Sequence, residues 1–148
     1  MAIRSCTAPV EATRFSAEPG TIRADGAVSA GATATSVGLS GDVNGASLTI
    51  EPSPIDFGPV RASAQSAPVR VTFKNDGNVP VTITAITQSG TDFVLPVAPL
   101  TVNAGGTATG PFALKSGGVG DVNGTITLAL DTVLCSGPPP SLAIKGKR

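Results

Sequence analysis

The feature that most constrains this chain is a two-residue alternation of apolar and polar side chains. Val69-Arg70-Val71-Thr72-Phe73-Lys74 is apolar at every second position, and Val79-Pro80-Val81-Thr82-Ile83-Thr84-Ala85-Ile86 resumes the pattern after Asn75-Asp76-Gly77-Asn78. Successive strand side chains point to opposite faces, so each run reads as a strand with one buried face. No window of a dozen residues keeps a helical period. Asn75 to Asn78 are residues that tolerate positive φ, which predicts a turn. The two runs are then expected to pair as a hairpin, packing Val69, Val71, Phe73, Val81, Ile83 and Ala85 toward one core. Pro80 falls near a strand start, where a missing N–H does least harm.

The same reasoning predicts strands at Ser47 to Ile50, Ile55 to Val60, Thr107 to Leu114, Thr125 to Leu130 and Ser141 to Ile144, with a short one at Phe93 to Leu95. Turn signals separate them: Pro52 and Pro54, Ser89-Gly90, Ala104-Gly105-Gly106, Ser116-Gly117-Gly118 and Pro138-Pro139-Pro140. The 18 glycines and 13 prolines are spread among apolar β-formers rather than gathered in a linker. About seven short strands at this spacing predict an all-β chain built on a β-sandwich.

Composition then narrows the chemistry. Ten Lys plus Arg balance ten Asp plus Glu, so no net field draws the chain to nucleic acid or to an anionic membrane. His, Trp and Tyr are absent and Phe numbers five. That removes histidine acid–base chemistry, His-containing metal sites and Tyr or Trp stacking platforms. The carboxylates form no close pair in sequence, and no nucleophile elbow, phosphate loop or dinucleotide fingerprint is present. The expectation is a protein that is not an enzyme and needs no cofactor. The basic Lys145-Gly146-Lys147-Arg148 end reads as a frayed, solvated tail.

Gly41-Asp42-Val43-Asn44-Gly45 recurs identically as Gly120-Asp121-Val122-Asn123-Gly124, each ahead of a strand-like run. The pentapeptide resembles the start of a calcium loop, but neither copy supplies a carboxylate at the twelfth position. Asn44-Gly45 and Asn123-Gly124 read instead as tight turns with positive φ. A weaker echo links Ala30 to Thr35 with Ala104 to Thr109. The echoes divide the chain into residues 1–46, a β-rich segment that is either part of a second unit in a tandem array or an assembly arm, and residues 47–148, the sandwich.

Cys6 and Cys135 are the only thiols. Two small buried hydrophobes, an intramolecular disulfide and an intersubunit disulfide all fit. With no His in the chain, they make neither a zinc site nor a Cys–His nucleophile.

Residues 48–114 resemble the ASPM/SPD-2/Hydin (ASH) type of immunoglobulin-like domain, in the group that includes PapD-like and major-sperm-protein folds. The resemblance is carried by Leu48-Thr49-Ile50-Glu51-Pro52-Ser53-Pro54-Ile55-Asp56-Phe57-Gly58-Pro59-Val60, then Val71-Thr72-Phe73-Lys74-Asn75-Asp76-Gly77-Asn78-Val79-Pro80-Val81-Thr82-Ile83, Thr91-Asp92-Phe93 and the Ala104-Gly105-Gly106 turn. Ser5 through Gly20 is similar to the late part of such a domain. The family's Phe-x-Pro strand appears here only as Pro111-Phe112-Ala113-Leu114. The resemblance implies Phe57 and Phe73 as buried anchors, Gly58 at a close backbone approach, and Asn75 and Gly77 in a turn between strands. It also implies a non-catalytic binding or spacer module, in bacteria often part of a surface protein.

Met1 to Cys6 contains no apolar run long enough for a signal peptide or spanning helix, so no membrane insertion is expected. The low-charge, Thr/Ser/Ala/Val-rich composition nevertheless looks like that of surface-exposed bacterial or virion proteins. A fragment without its export signal, a virion component and a cytoplasmic protein all fit both facts. The function expected is structural or adhesive, as a non-catalytic module of a larger surface-exposed assembly such as a phage capsid, neck or tail. The alternative is a cell-surface or secreted fragment that binds a protein or carbohydrate. Protein partners are expected, in a homo-oligomer or larger assembly, because an unpaired strand edge favours completion by another chain.

Overall fold

A computed structural model describes residues 20–30, 33–135 and 137–148, with side chains described from residue 44 onward except at 136. The described residues contain eleven strands and no helix. β1 (Gly20–Ala30) and β2 (Thr33–Val43) pair only with each other among the named strands, antiparallel from Gly20↔Val43 to Ala30↔Thr33. Nine further strands form a two-sheet sandwich. They are β3 (Leu48–Glu51), β4 (Ile55–Pro59), β5 (Val69–Asn75), β6 (Val81–Gln88), β7 (Phe93–Val94), β8 (Leu100–Val102), β9 (Thr107–Leu114), β10 (Asp121–Leu130) and β11 (Leu142–Lys147). One sheet has the order β4-β11-β10-β6-β8, the other β3-β5-β9-β7. All pairs are antiparallel except β4 with β11.

The alternation does what the pattern requires. Val71 and Phe73 of β5, Val81 and Ile83 of β6, and Ile126 and Leu128 of β10 are buried, while Arg70, Lys74, Thr84 and Thr127 are exposed. Phe73, Phe93 and Phe112 are the largest fully buried side chains. Each contributes about 1.5–3 kcal/mol by leaving water, and a core of this size can offset the ordering of short strands.

β5 and β6 do not form a hairpin. β5 pairs with β3 and β9, and β6 with β10 and β8, in opposite sheets. Asn75 to Pro80 therefore arches across the sandwich. Alternation cannot tell the two cases apart, because either arrangement points the same residues at the same core. Val71, Phe73, Val81 and Ile83 are fully buried, whereas Val69 and Ala85 are only partly so.

Further differences are local. β8 was not expected from sequence, because three residues after Pro99 carry too little alternation to register. β11 continues to Lys147, and the Arg148 side chain is 7% exposed, so the basic end is ordered rather than frayed.

Candidate functional site

The most elaborated part of the molecule is where the chain runs from β2 into β3. The lead-in segment Asn44–Ser47 passes between the β5–β6 arch and the β10–β11 loop. On the arch side, Asn78 N–H donates to the Gly45 carbonyl at 3.0 Å, Gly45 N–H to Asn78 Oδ1 at 2.9 Å, and Asp76 N–H to the Ser47 carbonyl at 2.8 Å. On the loop side, Cys135 N–H donates to the Ala46 carbonyl at 2.9 Å, and Ala46 and Leu134 form an isolated parallel bridge. Ala46 is 1% exposed.

Asn75 is the centre of this clamp and, among the residues whose side chains are described, the one buried polar residue. Its Oδ1 accepts the N–H groups of Ser47 (3.2 Å) and Gly77 (3.0 Å), and its Nδ2 donates to the carbonyls of Val79 (2.8 Å) and Val102 (3.3 Å). A buried carboxamide is tolerated only when satisfied in this way. The two glycines nearby are there for proximity. A Cβ at Gly77 would land on the Gly45 carbonyl oxygen and within 2.6 Å of Ala46 Cα, and one at Gly45 would land on Cys135 Sγ.

A second lock lies at the other end of β10. Arg148 donates Nη2 to Asp92 Oδ1 and Nη1 to the Lys115 carbonyl, and its backbone exchanges two 2.9 Å hydrogen bonds with Gly120. Its Nε is buried without a partner.

Between these ends, the outer face of the five-stranded sheet carries threonines on β6, β8 and β10. Thr84 and Thr87 donate their hydroxyls back to the carbonyls of Ala129 and Thr127, and the hydroxyls of Thr82 and Thr101 bond each other. Toward the β4 edge lies a shallow groove of about 440 Å³, lined by Asp56, Gly58, Asp121, Asn123, Lys145 and Lys147 among others. The Gly58 N–H, then the Lys145 ammonium 3.1 Å away, hold the Asp56 carboxyl below its ordinary value. A general acid needs the opposite shift. The groove pairs charges at an open surface.

The sequence-derived residues divide as follows. Phe73 and Phe93 are fully buried. Phe57 is half-buried, packed against the core and stacked on Phe93 at 6.1 Å between centroids, so it is a rim residue rather than an anchor. Gly58 has φ of +62° and open space where a Cβ would sit, so a backbone turn and not a close approach requires glycine there. Asn75 ends β5 and Gly77 lies in the arch, but neither has positive φ.

The turns expected at Asn44-Gly45 and Asn123-Gly124 are absent. No residue of either pair has positive φ, Asn44-Gly45 is the extended lead-in, and Asn123-Gly124 lies inside β10 opposite Lys145 and Ile144. Gly124 instead leaves room for the Phe93 ring, 2.8 Å from where its Cβ would stand. Cys135 is a half-buried free thiol, and Cys6 and the Ser5–Ser16 resemblance lie outside the described residues. Among the described residues, no cluster of three His, Cys, Asp or Glu could hold a metal, and no helix is long and apolar enough to cross a membrane. The clamp itself was missed in sequence. Its signal was Asn75 at a position whose parity matches the buried residues of β5.

Residues 46–147 match the model of the HYDIN/CFA65/VesB-like Ig-like domain. The chain belongs to that family. Two solved structures with TM-scores above 0.5 agree on the fold of this Ig-like domain. A protein of unknown function from Porphyromonas gingivalis W83 is 12% identical, with a TM-score of 0.58 over 88% of this chain and 66% of its own, so the chain spans just under two thirds of its length. The ASH/PapD-like domain 7 of human CEP192 is 11% identical, with a TM-score of 0.51 over 68% of this chain and 83% of its own. WR4, a C. elegans MSP family member, is 8% identical at a TM-score of 0.47, over 68% of this chain and 95% of its own. No curated protein matches the sequence.

Proposed function

We propose that this Ig-like domain is a non-catalytic structural or adhesive module that spaces and orients its neighbours in a larger surface-exposed assembly, such as a phage capsid, neck or tail. The observation that carries this reading is the clamp on Asn44–Ser47. Backbone hydrogen bonds to Asp76, Asn78 and Cys135 fix the direction in which the chain enters the sandwich. Arg148 is locked against Gly120 and Asp92, at the opposite end of β10. Elaborated ends joined by a close-packed β body suit a rigid spacer, whose work is geometry rather than turnover.

The test is to tag the chain in its native host and fractionate by size. The expected result is co-sedimentation with a large particle, with the tag open to antibody from outside the particle or cell. A monomer confined to the soluble cytosol would overturn the reading.

The threonines on the outer face of the five-stranded sheet favour a second reading, in which the chain is part of a bacterial cell-surface or secreted protein that binds a protein or carbohydrate. Binding on a glycan array that Thr127→Asp abolishes would select it. Binding that the substitution leaves intact would reject this face.

A further inference from the structure

We infer that β1 and β2 are the closing ribbon of a second, preceding immunoglobulin-like unit on the same polypeptide. The inference rests on the ribbon and is independent of the spacer reading. A two-stranded ribbon standing alone is at best marginally stable in water, so something must complete it. By register, Ile22, Ala24, Val28, Val37, Leu39 and Val43 occupy positions of one parity, while Thr21, Arg23, Asp25, Ser36, Ser40 and Asp42 occupy the other. One parity is thus mainly apolar, with Thr33 and Thr35 as its polar members, and the other mainly polar, with Ala27 and Ala34 as its apolar members.

Its pattern repeats that of the ribbon closing the sandwich. In β10–β11 the successive inward pairs are Val122↔Gly146, Gly124↔Ile144 and Ile126↔Leu142. In β1–β2 the pairs of the mainly apolar parity include, in order, Ile22↔Gly41, Ala24↔Leu39 and Gly26↔Val37. Both ribbons set a β-branched residue against glycine, then a small residue against a branched aliphatic, in the same strand direction. In the sandwich, β10 is completed by antiparallel β6 and β11 by parallel β4. The same neighbours would complete β1 and β2, and Val43 would end one unit just ahead of Leu48, where the next begins.

Two observations favour that occupant. The match to the Porphyromonas gingivalis protein takes in 88% of this chain, more than residues 46–148 amount to, and that protein extends further still. A second copy laying its own ribbon on this one would cover too little. Strands of eleven residues rising ~3.3 Å each make a face of roughly 350 Å², against about 800 Å² per partner in a stable interface.

The experiment compares two polypeptides by hydrogen exchange with mass spectrometry: the 148-residue chain, and the same chain extended by its natural upstream coding sequence. In the short form at dilute, monomeric concentration, amides of residues 20–43 should exchange on the order of a thousandfold faster than in the long form, while β3–β11 stay equally protected in both. Leu39→Asp in the long form should abolish the ribbon's protection and leave that of the sandwich intact. Equal protection in the monomeric short form would assign the cover to residues 1–19 and overturn the inference. Protection that appears only with dimerisation would assign it to a second copy, and a reading frame that starts at Met1 would remove the proposed unit; either result also overturns it.

Discussion

The carboxamide oxygen of Asn75 accepts the backbone N–H of Ser47 at 3.2 Å, and so ties the end of β5 to the residue that precedes β3. The same oxygen accepts Gly77 N–H, and the amide nitrogen donates to Val79 and Val102. One side chain thus holds the lead-in, the arch and β8. Asn75→Ala is expected to cost about 2–4 kcal/mol, since it leaves buried backbone groups unpaired. Asn75→Asp should be worse at neutral pH, where a carboxylate would face two carbonyls. It should recover partly on acidification, because protonation restores one donor. Chemical denaturation of the three proteins at pH 7 and pH 4 checks both expectations, and an Asp variant whose deficit against wild type does not shrink at pH 4 contradicts them.

Gly45 and Cys135 are expected to be coupled. A Cβ at Gly45 would collide with Cys135 Sγ but stand 3.5 Å from Cys135 Cβ, an ordinary contact. Gly45→Ala should therefore destabilise by about 1–3 kcal/mol alone, and by less than about 1 kcal/mol in a Cys135→Ala background. Thermal melts of the four proteins in the cycle give the coupling directly. Additive effects would mean that the two residues do not meet.

Arg148 and Asp92 should respond asymmetrically. Arg148 is 7% exposed and Asp92 43% exposed, so removing the carboxylate strands a buried guanidinium, whereas removing the arginine releases a carboxylate that water can reach. Asp92→Ala is expected to be the more damaging, by about 1–2 kcal/mol. Both should loosen the segment from Lys115 to Gly120, read as faster amide exchange there. Equal losses from the two substitutions would count against the asymmetry.

Acid should weaken the fold in a defined window. The backbone N–H of Thr82 donates to Asp131 Oδ1 at 2.9 Å and is the main cause that holds this carboxyl below 3.8, while the Gly58 N–H and then Lys145 do the same for Asp56. With native values depressed, each group adds stability above its unfolded value. That contribution fades as pH falls through 3.8 and is gone below the native value. Asp131→Asn should flatten the acid limb of a pH–stability curve, because the contribution that protonation removes is then absent at every pH; an acid limb as steep as that of the wild type would contradict this. Lys74 is shifted the other way, raised above 10.5 by its bond to Asp76. Its contribution is complete below 10.5 and is lost as pH rises through the native value.

How far the sequence could be read is clearest at β5 and β6. Their inward residues were legible because alternation records which face is dry. Their partners were not, because a hairpin and an arch present the same alternation to the core. Asn123-Gly124 failed for a related reason. The pair favours a tight turn in isolation, yet the Phe93 ring fills the space a side chain would need at Gly124, and the ladder from β10 to β11 runs through both residues. Asn75 was placed in a turn by its local propensity, whereas four bonds to groups distant in sequence or on the arch make it the buried centre of the clamp.

The sequence by itself determined strands, a dry face for each and the family to which the fold belongs, since period, turn chemistry and motif order are all local. Tertiary structure alone decided which strands share a sheet, why glycine stands at 45, 77 and 124, and that Arg148 is buried. Those outcomes depend on atoms brought together from positions up to 90 residues apart, as Gly45 and Cys135 are, and steric contact at that separation leaves no periodic trace along the chain.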